Sequence, residues 1–399
     1  MSAPSARRAP LEGITVVALE QVIAAPFATR QLAELGARVI KIERPDGGDS
    51  ARGYDRTVKG LSSHFVWTNR GKESITLNVK HPEAMAVVHK LLASADVFIQ
   101  NLAPGASDRL GLGATALRGA YPRLIVCGIS GYGTSGPYRD KKAYDLLVQC
   151  EAGLLSITGT PETPSKAGVP VADISGGMYA FSGILAALFD RERTGQGCTF
   201  DVSLFDGLAE WMGYPMHFAQ YSGTAPGRTG AKHAAIAPYG PFQTGDGKTV
   251  FLGIQNERDW QRFCAEVLEQ PAIANDTRFA NGPARVAHRA ELEALIGEVF
   301  VRFTREEAVA LLDGADIANA SMNTMADFIA HPQNQVRGRW RQVESPAGKI
   351  DALAPPLEFA DFDATLGPIP ALGEHTEAVL GELGYSAGEI DALRASGAI

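Results

Sequence analysis

Cysteine is scarce in this chain, and the few present lie far apart. Cys127, Cys150, Cys198 and Cys264 form no CxxC and have no histidine paired nearby, so the pattern offers neither a disulfide framework nor a zinc site. The eight histidines make no HxxxH pair. His81 and His331 each precede a proline and read as turn residues, and His375 reads as the opening of a C-terminal helix. No metal is expected. Positive charge is short as well: 37 Lys and Arg against 45 Asp and Glu leave a net charge of −8. That balance argues against nucleic acid as a partner, but local basic clusters can still meet a small anion. No apolar run reaches the ~18 residues of a membrane span. The lead MSAPSARRAPLEG carries two arginines and no apolar stretch, unlike a secretory signal. The expectation is a cytoplasmic protein with no membrane partner, in which residues 1–12 form a disordered lead. GxSxG and GxxxxGK[ST] are both absent, which removes the hydrolase elbow and the P-loop.

What is present is a chain of 399 residues, 45% hydrophobic and 21% charged, the balance of a globular protein. GITVVALE, RVIKIERP, ESITLNV, DVFIQNL and RLIVCGIS read as strands. Helical patterns over 25–35 and 82–93 separate them. Strands spaced by helices predict a parallel, doubly wound α/β sheet. CTFDVSLFDG adds a strand and the start of a helix. Composition shifts near Tyr221 to a Gly-, Ala- and Pro-rich loop. PFQTGDGKTVFLGI then reads as a hairpin around Asp246-Gly247, followed by helical patterns near 256–268, 288–302 and 304–313. The expected domains are a large α/β domain over 13–220, a smaller α+β domain over 225–330 and a C-terminal part over 335–399.

The stretch Ala143–Gly197 organises the whole. At its centre VADISGG places one acid, Asp173, just ahead of a helix pattern running through Met178, Phe181, Ile184, Leu188 and Phe189. The pattern leaves two roles for it: a helix cap, or a carboxylate held in the field of a helix N-terminus. Asp145, before DLLVQCEAGLL, reads as a cap of its own helix. GYGTSG matches GxGxxG after a strand, but Pro137-Tyr138-Arg139-Asp140 interrupt the helix a dinucleotide site needs. An oxidoreductase is therefore a poor reading. Lys41 and Arg44, Arg70 and Lys72, and Arg139, Lys141 and Lys142 form three basic clusters suited to a polyphosphate ligand beyond the strand ends.

LGARVIKIERPDGGDSAR, NRGKESITLNVKHPE, DVFIQNLAPGASDRLGL, SGYGTSGPY, AYDLLVQ, ADISGGMYA, RTGQG, PYGPFQTGDGK and LGEHT run in one order along nearly the whole chain. Together they resemble the class III CoA-transferases, the CaiB/BaiF group that also holds formyl-CoA and carnitine CoA-transferases and α-methylacyl-CoA racemase. The resemblance implies a Rossmann-like large domain joined to the C-terminal tail, a small domain from the middle of the chain, and an interlocked homodimer. It implies that Asp173 is the nucleophile that forms an aspartyl-CoA thioester, with acyl-CoA as substrate and no tightly bound cofactor. By position it implies CoA contacts at Arg44, Arg70, Lys72, Asn101 and Lys142, and an active-site lining of Tyr144, Gln21, Ile23 and Tyr239. The chain departs from the family in two places. Asn101-Leu102-Ala103-Pro104-Gly105 stands where many members have NFRPG, so an arginine is missing. Gln21 and Ile23 stand where formyl-CoA transferases carry His and Gln. The racemases carry a His before an Asp where this chain has Tyr144-Asp145, and a tyrosine with pKa near 10 is a poor base at neutral pH. EQVIAAPF, NLAPGA and KKAYDLL most resemble members that handle C4–C5 dicarboxylates, so the expected activity is CoA transfer from succinyl-CoA to a small dicarboxylic acid such as citramalate, malate or mesaconate.

Overall fold

Alternation within β1, Thr15–Leu19, sets the architecture. Val16 and Ala18 face one apolar core and Val17 and Leu19 the other, as the two-residue side-chain period of a strand requires. The structure, a computed structural model, describes residues 8–364 and 366–399. They divide into two units, one running up to Ala152 and including Gly168–Gly213 and Gln335–Ile399, the other comprising Gly153–Ala167 and Tyr214–Asn334.

In the first unit β1 leads into α1 (Ala24–Glu34) and β2 (Arg38–Glu43), then α2 (Ser63–Asn69), β3 (Lys72–Thr76), α3 (Pro82–Ser94) and β4 (Val97–Gln100). The short α4 (Ala106–Arg109) and α5 (Ala114–Ala120) precede β5 (Ile125–Ser130) and α6 (Asp145–Glu151). After α7 (Leu154–Ile157), which belongs to the second unit, come α8 (Val171–Thr194), β6 (Thr199–Ser203) and α9 (Leu204–Trp211). All six strands are parallel in the order β3-β2-β1-β4-β5-β6. The order reverses between β1 and β4, and in such sheets ligands bind in the crevice beyond the strand ends at that switch point.

One face of the sheet is covered by α1 and α8. Gly177 lets them close: a Cβ there would lie 2.6 Å from the Ala24 carbonyl oxygen, and one at Gly176 would meet the Leu204 side chain at 2.5 Å. The paired glycines of ADISGG are thus packing residues. Among the described residues α8 alone is long and apolar enough, by length and composition, to cross a membrane; half of that window is buried within the protein, the burial of a core helix. On the other face, Val379, Leu380, Ile390 and Leu393 join the core with α3. They come from the C-terminal helices Thr376–Glu382 and Ala387–Ala395. His375 stands at the first of these, and its Nδ1 accepts the Ser74 amide of the edge strand β3 at 3.2 Å. The lead was expected to be disordered through residue 12, but Leu11 is buried and its amide donates to the Leu35 carbonyl at 2.9 Å. Its apolar side chain accounts for the difference. Residues 1–7 lie outside the described part.

The second unit holds a three-stranded antiparallel sheet of Tyr239–Gln243, Thr249–Gly253 and Asn319–Ser321. Its first two strands form the hairpin around Asp246-Gly247. Trp260, Phe263, Phe279, Phe300 and Leu312 fill its core. The helical pattern near 256–268 is broken, an α-helix over Glu257–Arg262 passing into a π-helical turn over Phe263–Val267.

Candidate active site

A cavity of about 560 Å³ opens at the switch point, lined by Gln21 after β1, Asn101 after β4, Ser130 and Gly131 at the end of β5, and the strap carrying Lys142, Tyr144 and Asp145. Asp173 stands on its wall. Gly131 makes the strap possible, since a Cβ there would fall 2.1 Å from the Ala143 Cβ. No helix opens at GYGTSG; the next begins at Asp145, which leaves a dinucleotide without its usual seat.

Helix α8 settles the position of Asp173. The residue preceding the helix is Pro170, with no side-chain cap, and Asp173 lies in the first turn. The cap comes from elsewhere: Asp145 Oδ1 accepts the amides of Ala172 at 2.8 Å and Asp173 at 3.1 Å. Asp145 Oδ2 accepts from Gln149 Nε2 at 2.6 Å. Asp145 therefore caps the neighbouring helix; at its own helix, Tyr144 occupies the capping position. The Asp173 carboxylate has no hydrogen-bond partner among the described residues. Burial, and then the charge of Asp145, push its pKa up to about 7. The positive end of α8 works the other way but does not prevail.

The turn between β1 and α1 is strained. Val22 has φ +66°, a left-handed conformation that costs a branched residue on the order of 1–3 kcal/mol. Its amide donates to both oxygens of Asp49, at 3.0 and 3.2 Å. Beneath it lies a buried charge network. Lys41 Nζ is 2.7 Å from Asp49 and 3.5 Å from Glu20, and Lys72 Nζ is 2.6 Å from Glu20. Burial opposes the Lys41 charge, but Asp49 and Glu20 outweigh it and hold the ammonium above its ordinary range. Burial prevails at Lys72 and pulls its pKa down.

Of the residues singled out from the sequence, Gln21, Asn101, Lys142, Tyr144 and Asp173 meet at this cavity. Lys142 and Tyr144 are exposed, Tyr144 at 73%, and Lys142 has no ion-pair partner among the described residues. Asn101 lines the cavity with its side-chain amide engaged by the backbone of Gln21. Its amide group accepts the Gln21 amide at 2.9 Å and donates to the Gln21 carbonyl at 2.8 Å. The other residues lie elsewhere. Ile23 is buried in the core. Lys72 is fully buried and spent on Glu20, Asn69 and the Pro26 carbonyl, and buried Arg70 is spent on Glu34 at 2.5 Å. Each lies beneath the surface of this chain with its charge already matched. Arg44 is exposed, its guanidinium donating to the Gly48 carbonyl. Tyr239 lies in the second unit, its ring stacked on His233 at 5.2 Å. The sequence reading missed Val22, Asp49 and the true role of Asp145. The run of charges around Lys41 and Asp49 is visible in the sequence, but a positive φ and a cap supplied from 27 residues away are not.

A doubly wound α/β unit with a half-buried carboxylate beside a switch-point cavity defines a class: an α/β protein with its ligand crevice beyond the strand ends. The chain matches the model of CoA-transferase family III over residues 11–376. It is 37% identical over 387 residues to the succinate–glutarate CoA-transferase of Agrobacterium fabrum, covering 94% of this chain and 96% of that protein. It is 31% identical over 383 residues to the succinyl-CoA–D-citramalate CoA-transferase of Chloroflexus aurantiacus, covering 94% of each. The crystal structure of a CaiB/BaiF family protein from Brucella suis matches with a TM-score of 0.83 at 35% identity, covering 94% of this chain and 100% of that one. The chain belongs to CoA-transferase family III and is an acyl-CoA:carboxylate CoA-transferase.

Proposed function

We propose that this enzyme moves CoA from succinyl-CoA to a small dicarboxylic acid through a thioester on Asp173. The observation that carries the reading is the Asp173 carboxylate, without a hydrogen-bond partner among the described residues, on the wall of the switch-point cavity. An Asp173 oxygen attacks the donor's thioester carbonyl; the C–S bond breaks, leaving an aspartyl–acyl anhydride and CoA thiolate. The thiolate attacks the aspartyl carbonyl and expels the donor acid, giving aspartyl-CoA. A carboxylate of the acceptor then displaces the thiolate to form a second anhydride. The thiolate attacks the acceptor's carbonyl, which frees Asp173. No proton is gained or lost over the cycle, and covalent capture divides one hard exchange into four easier ones. The attacking group must be ionised. With its pKa pushed up to about 7, Asp173 is a better nucleophile than an ordinary carboxylate but is only partly ionised at neutral pH.

In this reading the side-chain amide of Gln21 meets a substrate carboxylate, and Lys142 meets CoA phosphate as a point charge. Tyr144 lines the acyl site. Relatives named for glutarate, D-citramalate and L-malate pair those acids with succinyl-CoA or succinate, which supports a short dicarboxylate acceptor. The enzyme works as a homodimer. Exposed Phe189, Trp211 and Tyr221, the last at 81%, are the kind of surface that a partner covers. The test is to offer succinyl-CoA with a panel of mono- and dicarboxylates and separate the CoA esters formed. Transfer confined to monocarboxylates would overturn the substrate class.

A further inference from the structure

The turn at Gln21-Val22 is held from two sides, by Asn101 and by Asp49. From the β4 side, Asn101 brackets the Gln21 peptide, taking its amide and supplying its carbonyl. From the β2 side, Asp49 takes the Val22 amide. A branched residue at φ +66° returns to the extended region unless the surroundings forbid it. Asp49 is suited to forbid it. Its oxygens also accept the Ala51 amide at 2.9 Å and the Lys41 ammonium at 2.7 Å. A carboxylate has acceptor sites enough for all of these at once. Lys41 is tied to Glu20, and Glu20 accepts from Thr29 at 2.7 Å and from Lys72 at 2.6 Å. Every member of the network is buried, so none can shift without stranding a charge. The Gln21 side-chain amide has no hydrogen-bond partner among the described residues, and Gln21 lines the cavity.

We propose that Asp49 is a positioning residue: by holding Val22 left-handed, it fixes the Gln21 amide where a substrate carboxylate meets it. The proposal rests on the reading of this cavity as the transfer site. It assigns a task to a buried ion pair that touches no substrate. The strain at Val22 is the pre-organisation, and the Lys41–Asp49 pair sustains it.

The test is a set of variants assayed with succinyl-CoA and the best acceptor of the panel. Asp49→Asn keeps the shape, supplies one acceptor oxygen where two served, and turns an amide toward Lys41. It is expected to lower kcat/KM for the acceptor on the order of 10- to 100-fold, as a misplaced binding group does, while the KM for succinyl-CoA stays within about twofold. Val22→Gly in the Asp49→Asn background is expected to recover at least about fivefold, because glycine takes a positive φ without strain. In a Gln21→Ala background Asp49→Asn is expected to add little, since residues acting as one unit are not additive. A merely structural role predicts no rescue by glycine and an undiminished effect without Gln21, and either result overturns the proposal. Should Asp49→Asn fail to fold, hydrogen exchange on the wild type decides. The Val22 amide should be as slow as the amides of β1, and fast exchange there refutes the clamp. If wild-type enzyme transfers no CoA, the reading of the site fails instead; if it transfers and Asp49→Asn matches it, only the clamp fails.

Discussion

The carboxylate of Asp145 accepts the main-chain amide of Asp173 at 3.1 Å, and that of Ala172 at 2.8 Å. One acid thereby fixes the first turn of α8 on which a second acid stands, and its charge opposes ionisation of that second acid. The two effects come from the same carboxylate, whose Oδ1 makes both cap bonds. A cap at this helix would ordinarily be a local Ser, Thr, Asp or Asn; here Pro170 stands in that place and the acid arrives from a strap 28 residues earlier.

The first prediction concerns pH. The ionised form of Asp173 attacks, so kcat/KM for acyl-CoA should rise with pH through about 7, well above the ordinary carboxylate range. Asp145→Asn keeps an acceptor oxygen for the two amides and removes the charge. The rising limb should then move to lower pH, though not to the ordinary value, because burial is the larger cause and remains. A limb that stays in place under Asp145→Asn would contradict the electrostatic link.

A second prediction concerns stability. The folded pKa of Asp173 lies above the unfolded value of about 3.9. Between the two the native state binds more protons than the unfolded state, so stability falls as pH rises through that window. Asp173→Asn carries no such penalty. It should be more stable than the wild type at pH 8, by up to about 4 kcal/mol for a pKa raised to about 7, and the gap should close toward pH 4. Calorimetry at the two pH values measures it.

Burial changes the expectation for two of the basic residues. Lys72→Ala leaves Glu20 without one of its two cations, and removal of one partner of a buried pair costs about 3–5 kcal/mol. The loss should appear in denaturant unfolding, with the KM for acyl-CoA unchanged in the folded fraction. Arg70→Ala should behave alike through Glu34. Lys142→Ala should do the reverse, raising that KM several-fold with stability unchanged within about 0.5 kcal/mol.

Assembly gives a fourth prediction. Sedimentation at low micromolar protein should show a dimer of the 42.4 kDa chain and no well-folded monomer. A folded monomer at that concentration would contradict the interlocked arrangement.

Much of the fold could be read from the chain. The alternating apolar runs of GITVVALE and RVIKIERP gave strand identity, and the helices between them gave a parallel sheet. VADISGG by itself singles out Asp173 at the start of a helix pattern. The rest depended on long-range contacts. Nothing local says that Asp145 reaches the amides of Ala172 and Asp173 and passes over its own helix. The basic pairs RGK and KIER look the same on paper whether solvent or Glu20 receives them, so Lys72 read as a ligand contact and proved to be core. Asn101 followed the family pattern, yet its amide serves the Gln21 backbone. The left-handed Val22 could not be anticipated, because its conformation opposes its own side chain and is maintained by Asp49, 27 residues away.

The central claim is that Asp173 carries the CoA. Wild-type enzyme is incubated with succinyl-CoA, quenched with hydroxylamine, digested and examined by mass spectrometry. The account predicts a hydroxamate on the single peptide containing Asp173, at the Asp173 side chain. It also predicts that Asp173→Asn gives neither the adduct nor transfer while keeping its fold. A hydroxamate on Asp145, or an Asp173→Asn enzyme that still transfers CoA at the wild-type rate, would contradict it.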